Sequence, residues 1–268
     1  MHFVWSSTIQ VLLAIVMGLT LLSDGVVAKG YEELGKRHQG DIVLSDFQYD
    51  AVADGGALIV QDASKWTKGI VPYEFSPSFT EPEQGQIVEI MNRISSYSCV
   101  RFVPRTSKDK QFLNITAIAD GCWTTLGMNP LSNQLNLHKE GCLQSGVIMH
   151  QLLHVLGFTH PQSRPDRDFY VLVQEDAIEP SLKQNLDKYL QGGIEDFGIP
   201  YDYESLLHCK SDAFGSSTSD RATVVPMDDV EIGQRDQLSL KDVRKLNKMY
   251  DYEFCGHCVR GNCNSPST

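Results

Sequence analysis

The chain has 268 residues, and 41% of them are hydrophobic, which suits one domain of about 200 residues with additional processing segments, or two small domains. Its formal net charge of −11 at pH 7 argues against nucleic acid or an anionic membrane as the main partner. We interpret the acidity mainly as a source of solubility, and we expect the mature chain to be a monomer.

The N-terminus has the pattern of a signal peptide. Residues 9–22 form an apolar run that is shorter than the roughly 20 residues needed to span a bilayer. Small residues follow at Val26, Val27 and Ala28, so we predict a signal peptide over residues 1–28 and a secreted, extracellular product without a membrane segment. The alternative is an N-terminal membrane anchor.

The cysteine content agrees with secretion. Seven cysteines favour disulfides in an oxidising compartment, and their odd number leaves one over. Asn114, Ile115 and Thr116 form an acceptor motif for N-glycosylation. We therefore expect an extracellular, disulfide-containing glycoprotein.

Residues 29–56 are polar and rich in Gly and Asp, and they lack the periodicity of a packed element. We interpret them as a pro-segment, with a flexible N-terminal arm as the alternative. A globular pattern begins at Trp66.

The first predicted elements of the domain are a strand and a helix. The strand covers Ile70–Phe75, and Thr80 with Glu83 forms a capping box ahead of a helix. The helix shows the apolar spacing i, i+3, i+4, i+7, at Ile87, Ile90, Met91 and Ile94.

Further elements follow in chain order. Three strands are predicted, at residues 100–103, 113–119 and 134–138, and then a helix from Cys142 to Leu156. Residues 159–235 show little periodicity, so irregular structure is expected there. A final helix begins at Ser239, where Ser is a favourable N-cap.

The helix ending at Leu156 carries the strongest signal for chemistry. His150 and His154 are four residues apart, so they lie on one face of the helix, where both can reach one metal ion. Gly157 can end the helix in a left-handed conformation and return the chain towards His160. Three imidazoles with an open fourth position predict a catalytic type of zinc site.

One residue departs from the pattern of a metzincin protease. That pattern is H-E-x-x-H-x-x-G-x-x-H, in which the Glu is the general base, and Gln151 stands at this position here. An amide resembles a carboxylate in shape, but it cannot accept a proton near neutral pH. The zinc ligands are therefore expected to be intact and the base to be missing.

Several motifs together resemble the astacin family of secreted zinc metalloendopeptidases. The resemblance extends over roughly residues 57–255, most of the mature chain. The motifs that carry it are His150–His160, Arg164–Val171, Cys99–Arg105, Gly121–Trp123, Tyr201–His208 and Ile232–Arg235.

This resemblance implies an α+β fold with two lobes. A twisted, mostly parallel sheet with helices, including the zinc helix, lies above the cleft, and a loop-rich lobe lies below it. The peptidase domain would cover residues 57–255, followed by a Cys-containing tail at 256–268. The family's disulfides imply the pairs Cys99–Cys255 and Cys122–Cys142.

Two family positions in the loop-rich lobe are changed. Leu207 stands where the family has the Met of its Met-turn, which is a nearly volume-conserving change. Cys209 stands where the family has a Tyr that stabilises the transition state. A thiolate is a good zinc ligand, so Cys209 could close the fourth position; a disulfide with a tail cysteine and a buried thiol are the alternatives.

The maturation machinery is changed as well. Pro161 stands where the family has a Glu that pairs with the matured N-terminus, and no Lys or Arg directly precedes Ala57. Gly40 and Asp41 resemble the family's inhibitory motif, whose Asp occupies the fourth position on zinc. Asp41 is therefore a candidate ligand from the pro-segment, and the chain could persist as a locked precursor.

Three hypotheses for function follow. The first is a secreted, zinc-binding pseudoprotease that binds an extended polypeptide, either a substrate or an inhibitor, without cutting it efficiently. The second is a zinc endopeptidase of low activity, in which another group moves the proton; His208 is one candidate. The third is a structural extracellular protein that reuses the fold.

Overall fold

A computed structural model describes residue 32 and residues 37–54, 64–217 and 220–251. The predicted signal peptide, the domain start at Ala57 and the Cys-containing tail lie outside the described residues. Within the described ranges, none of the helices combines the length and the apolar character that crossing a membrane requires.

A six-stranded sheet forms the upper lobe, in the order β1-β5-β6-β4-β2-β3. Every neighbouring pair is parallel except β5 with β6, so the predicted mostly parallel sheet and α+β class are confirmed. The strands are β1 (Ile42–Val43), β2 (Ile70–Phe75), β3 (Arg101–Pro104), β4 (Leu113–Thr116), β5 (Cys122–Thr125) and β6 (Asn133–Leu137).

The described residues also form five α-helices. They are α1 (Asp46–Asp54), α2 (Glu81–Tyr97), the single turn α3 (Lys139–Cys142), α4 (Ser145–Val155) and α5 (Leu240–Met249). Short 3-10 helices occur at Thr67–Gly69, Pro161–Ser163, Arg167–Phe169 and Pro180–Leu186.

Helix α2 forms where the sequence predicts it. Both hydrogen bonds of the Thr80–Glu83 capping box are present, and they satisfy N–H groups that the first helical turn leaves unpaired. Its four periodic apolar residues are all buried in the main core, which they share with α4 and the sheet. Burial of this one face holds α2 against the zinc helix.

Helix α4, the predicted zinc helix, is buried all round, and its end is tightly defined. Gly157 has φ of 100°, its N–H donates to His154 O (2.9 Å), and Phe158 N–H donates to Leu153 O (3.1 Å). This pair of bonds is a Schellman motif, which needs a residue that tolerates the left-handed conformation. The helix therefore turns sharply at Gly157, as predicted.

Side chains from distant segments satisfy the last carbonyls of α4. Trp66 Nε1 donates to Val155 O at 2.8 Å, and Tyr250 Oη donates to Leu156 O at 3.0 Å. Both donors are buried, so these bonds fix the helix end from two directions.

The lower lobe is largely irregular, as predicted, but it contains a small antiparallel sheet of β7 (Val171–Val173) and β8 (Val224–Pro226). A separate apolar cluster, which includes Tyr201 and Phe214, lies under these strands. This cluster is separate from the main core, to which the metal helix belongs.

The prediction that residues 29–56 hold no packed element is wrong. Strand β1 pairs with β5 at the edge of the sheet, and α1 follows it. Buried Ile42 and Ala51 form a third apolar cluster with Leu126 and Tyr189 of the domain. Only four apolar residues of this segment, Ile42, Leu44, Ala51 and Val52, belong to this cluster, and they are divided between a strand, the residue that follows it and a helix, so no single period is recognisable.

Two strands differ from the prediction. Strand β5 was not predicted at all, and β4 ends at Thr116 rather than continuing to 119. Strand β5 contains Trp123 and two Thr residues, but it is only four residues long and fully buried, so it shows no alternation.

A pair of glycine substitutions tests how closely α4 packs. A Cβ on Gly146 would lie 1.6 Å from the backbone oxygen of Arg235, whereas a Cβ on Gly85 would meet nothing within 4 Å. We expect Gly146→Ala to lower the free energy of unfolding by about 1–3 kcal/mol or more, because the overpacked backbone must move. Gly85→Ala should raise it by about 0.5–1 kcal/mol, since Ala favours a helix interior. Denaturant unfolding with the disulfides intact measures both, and equal midpoints would contradict the packing described.

Candidate metal centre

Four buried side chains converge at the cleft: Asp41, His150, His154 and His160. Their ligand atoms all lie within 4.8 Å of one another. His154 Nε2 is 3.0 Å from His150 Nε2 and 3.2 Å from His160 Nε2. Asp41 Oδ2 is 2.9 Å from His150 Nε2.

The opposite ring nitrogens show which tautomer each histidine adopts. His150 Nδ1 is 3.0 Å from Leu206 O, and His154 Nδ1 is 2.6 Å from Phe158 O. These carbonyl oxygens can only accept, so each Nδ1 carries the proton and donates. His160 Nδ1 donates in the same way to Gln39 Oε1 at 3.0 Å.

This hydrogen bonding leaves three Nε2 lone pairs directed at one another at close range. Lone pairs in that arrangement repel unless a cation lies among them, and neutral imidazole Nε2 atoms are the nitrogens that bind metal ions. Asp41 Oδ1 is also buried without a hydrogen-bond partner. The donor set of three imidazoles and one carboxylate fits zinc in tetrahedral coordination.

The protonation states agree with this interpretation. Burial raises the pKa of Asp41, but electrostatic interactions with His154, His160 and His150 outweigh it and hold this pKa well below 3.8. Burial lowers the pKa of His160 well below 6.5, although Asp41 opposes the shift. A charged carboxylate and a neutral imidazole are the forms that bind metal ions.

The turn below the site positions His150. Asp242 accepts from Ser205 Oγ at 2.7 Å and from Leu206 N at 2.9 Å. Arg235 Nη1 donates to Leu206 O at 3.0 Å. Leu206 O is therefore held in place to accept from His150 Nδ1. The adjacent Leu207, at the predicted Met-turn position, is buried in the main core.

Gln151 lies beside the metal ligands and contacts Asp41 of the N-terminal segment. Its side chain is 0% exposed, and Nε2 donates to Asp41 Oδ2 at 2.7 Å. Its Oε1 is buried without a hydrogen-bond partner. The residue at the predicted base position is thus a hydrogen-bond donor to the carboxylate.

Cys209 takes no part in the group of ligand atoms, because Asp41 supplies the fourth one. The Cys209 side chain is buried, and its backbone N–H donates to Gln162 Oε1 at 3.1 Å. Zinc ligation by Cys209, weighed above as one alternative, therefore does not occur in this arrangement. Pro161 begins a buried 3-10 turn directly after His160.

The N-terminal segment that carries Asp41 is attached at several points around the centre. Besides Gln39 and Asp41, Glu32 forms a partly buried ion pair with Arg235, with Nη2 and Oε2 2.9 Å apart. Along β5, Thr124 N donates to Asp41 O at 2.9 Å. Sequence reasoning identified Asp41 but missed Gln39 and Glu32, since neither residue belongs to a motif quoted for the resemblance.

The remaining predicted residues lie away from the metal. A disulfide joins Cys122, on β5, to Cys142, at the end of α3. Cys99 is disulfide-bonded, but Cys255, its predicted partner, lies outside the described residues. Asn114 is half-buried in β4, between β2 and β6, and its glycosylation stays a prediction.

The hydrogen bond from His160 to Gln39 provides a test of the metal centre. Gln39→Asn shortens the side chain beyond reach of Nδ1, and Asn tolerates the positive φ of 54° at this position. We expect zinc affinity to fall about 10–100-fold, because outer partners orient the ligands of a metal. Competition with a chelating dye measures the affinity. Gln48→Asn is the control, since Gln48 lies in the same segment and bonds Leu126 O instead; an equal loss in both variants would contradict the prediction.

Comparisons with known proteins agree with this geometry. The profile of the peptidase family described as Astacin matches residues 58–251. The chain is 35% identical over 201 residues to zinc metalloproteinase nas-14 of Caenorhabditis elegans, covering 74% of this chain and 39% of that protein. It is 37% identical over 191 residues to an astacin-like metalloendopeptidase of Coturnix japonica, covering 70% of this chain and 46% of that protein. The chain thus spans less than half the length of these curated relatives.

A solved structure gives the same result. High choriolytic enzyme 1, a hatching-enzyme zinc protease of Oryzias latipes, is 32% identical, with a TM-score of 0.67. The match covers 73% of this chain and 99% of that one. Family, fold and ligand set therefore agree. The chain belongs to the astacin family of zinc metallopeptidases, and zinc is the metal of its centre.

Proposed function

We propose that this chain is a secreted, zinc-binding astacin homologue with impaired catalysis, which acts by binding an extended polypeptide. The observation that carries the proposal is Gln151, a buried amide that donates to Asp41 at the position of the general base. When bound, zinc supplies Lewis-acid chemistry that polarises a peptide carbonyl. The chain's own residues must then move the proton, and Gln151 cannot accept one.

Two neighbouring side chains that could replace the base are already engaged. Both ring nitrogens of His208 are engaged and buried, with Tyr201 Oη 2.8 Å from Nε2 and Cys209 O 3.0 Å from Nδ1. Glu32 is held by Arg235. A missing general base lowers the rate by about 10²–10⁴-fold, so slow hydrolysis is expected at most.

The sheet edge supports the binding of an extended polypeptide. Residues 41–43 run along β5 in extended form, and the N–H groups of Thr124 and Leu126 donate to Asp41 O and Val43 O. An exposed strand edge binds any extended chain through such main-chain bonds, with side-chain pockets adding specificity. The pro-segment is thus one occupant of a surface that suits substrates or inhibitors.

Secretion and a monomeric state belong to the same proposal. The predicted signal peptide, the seven cysteines and the Cys122–Cys142 disulfide support an extracellular location. The acidic charge of −11 gives no support to binding of nucleic acid or an anionic membrane.

A second candidate function is a zinc endopeptidase of low activity. The complete set of three histidines favours it, because a protein that only binds polypeptides does not need a metal. Relatives named as metalloproteinases are consistent with it. The two candidates differ in rate, which can be measured directly.

Cleavage of a general protein substrate tests the proposal. Two variants of the full chain are compared. Both carry Asp41→Ala, which removes the pro-segment carboxylate from the centre, and one of them also carries Gln151→Glu. We expect the Glu form to cut about 10²–10⁴-fold faster, because the base is restored. Zinc content is measured in both forms.

The control is Gln86→Glu, the same substitution on α2, where the amide donates to Leu143 O away from the cleft. It should leave the rate unchanged. Equal, efficient cleavage by the Asp41→Ala chain and its Gln151→Glu form would refute impaired catalysis and favour the low-activity protease. If neither cuts although both hold zinc, the binding role is supported and other changes have also removed activity.

A further inference from the structure

We infer that Gln151 is a positioning residue for the pro-segment: its amide holds Asp41 at the metal centre and keeps residues 37–43 docked in the cleft. This goes beyond loss of the base, because it assigns the new side chain a role of its own. The inference deepens the proposed function and rests on it only in treating the cleft as a binding surface.

The contact between the two side chains is short and buried. Gln151 Nε2 lies 2.7 Å from Asp41 Oδ2, and the two residues are 0% and 1% exposed. The direction of the bond is fixed, because a carboxylate can only accept. Reversing the amide would place its oxygen against the Asp41 carboxylate. A hydrogen bond to a charged group in a buried site is among the stronger ones.

A Glu at position 151 would have the opposite effect. It would place a second carboxylate at the position from which the amide now donates to Asp41, so the hydrogen bond would be lost and two like charges would repel. Gln is close to Glu in shape, so it keeps the packing of α4 and replaces this repulsion with an attraction. One substitution therefore both weakens catalysis and favours the docked segment.

The neighbouring contacts make the docked segment and the metal centre one unit. Gln39 Oε1 accepts from His160 Nδ1, and Asp41 O accepts from Thr124 N on β5. Glu32 pairs with Arg235 on the other side of His150. Gln151 adds to these contacts at the carboxylate that reaches the metal, so its loss should loosen the segment locally.

Hydrogen exchange of the full, zinc-loaded chain tests the inference. We compare the natural chain with Gln151→Leu and Gln151→Glu, and follow the peptide covering residues 41–54. We expect this peptide to exchange at least about tenfold faster in Gln151→Leu, because one charge-assisted hydrogen bond is lost. Exchange should be faster still in Gln151→Glu. Gln86→Glu serves again as the matched control and should exchange like the natural chain.

Two further readouts separate a local clamp from general damage. Peptides of α5 should exchange unchanged; an equal increase there means global loosening and overturns the inference. In a chain with Asp41→Ala, adding Gln151→Leu should cause no further increase, because the partner is already gone. The inference is also overturned if Gln151→Leu speeds exchange further in the Asp41→Ala chain. It is overturned as well if residues 41–54 exchange as slowly in Gln151→Leu as in the natural chain.

The result is independent of the cleavage assay. Release of zinc to a chelator should quicken in Gln151→Leu, since Asp41 then leaves the centre more often. If the Asp41→Ala chain cuts efficiently while Gln151→Leu still loosens the segment, the proposed function fails and the role of Gln151 stands. If cleavage is absent and Gln151→Leu exchanges and releases zinc like the natural chain, only the present inference fails.

Discussion

Three imidazole rings, each held by a hydrogen bond from its Nδ1, are the feature on which the site depends. The acceptors come from three places: the turn at Leu206, the chain just after α4 at Phe158, and the N-terminal segment at Gln39. The orientation of the rings therefore depends on the capped end of α4, on the turn at Leu206 and on the docked segment. Fixing Nδ1 as the donor leaves Nε2 to the metal, because a neutral imidazole carries one proton.

The same centre brings together the domain and the segment ahead of it. Helix α4 packs on the upper sheet, and Leu206 lies in the same apolar core while its carbonyl oxygen accepts from His150. Asp41 brings a buried negative charge, whose cost is offset by the histidines and by Gln151. In this state the centre has four protein side chains as candidate ligands, and the cleft holds an extended polypeptide.

Local signals in the sequence predicted several elements well. The capping box at Thr80 and the apolar period of α2 rest on interactions within a few residues, so they can be recognised without the fold. Strand β5 and the packing of β1 with α1 could not be recognised. Their residues are few, and their stability comes from partners far along the chain, such as Leu126 and Tyr189 for Ile42 and Ala51.

The sequence by itself determined the three histidines, the turn at Gly157 and the absence of a carboxylate at position 151. These features follow from spacing on one helix and from the chemistry of single side chains. Only the tertiary structure decided that Asp41 rather than Cys209 completes the ligand group, that Gln39 holds His160, and that Gln151 donates to Asp41. Those contacts join residues 110 to 121 positions apart, as in Gln151–Asp41 and His160–Gln39, and only packing in three dimensions brings them together.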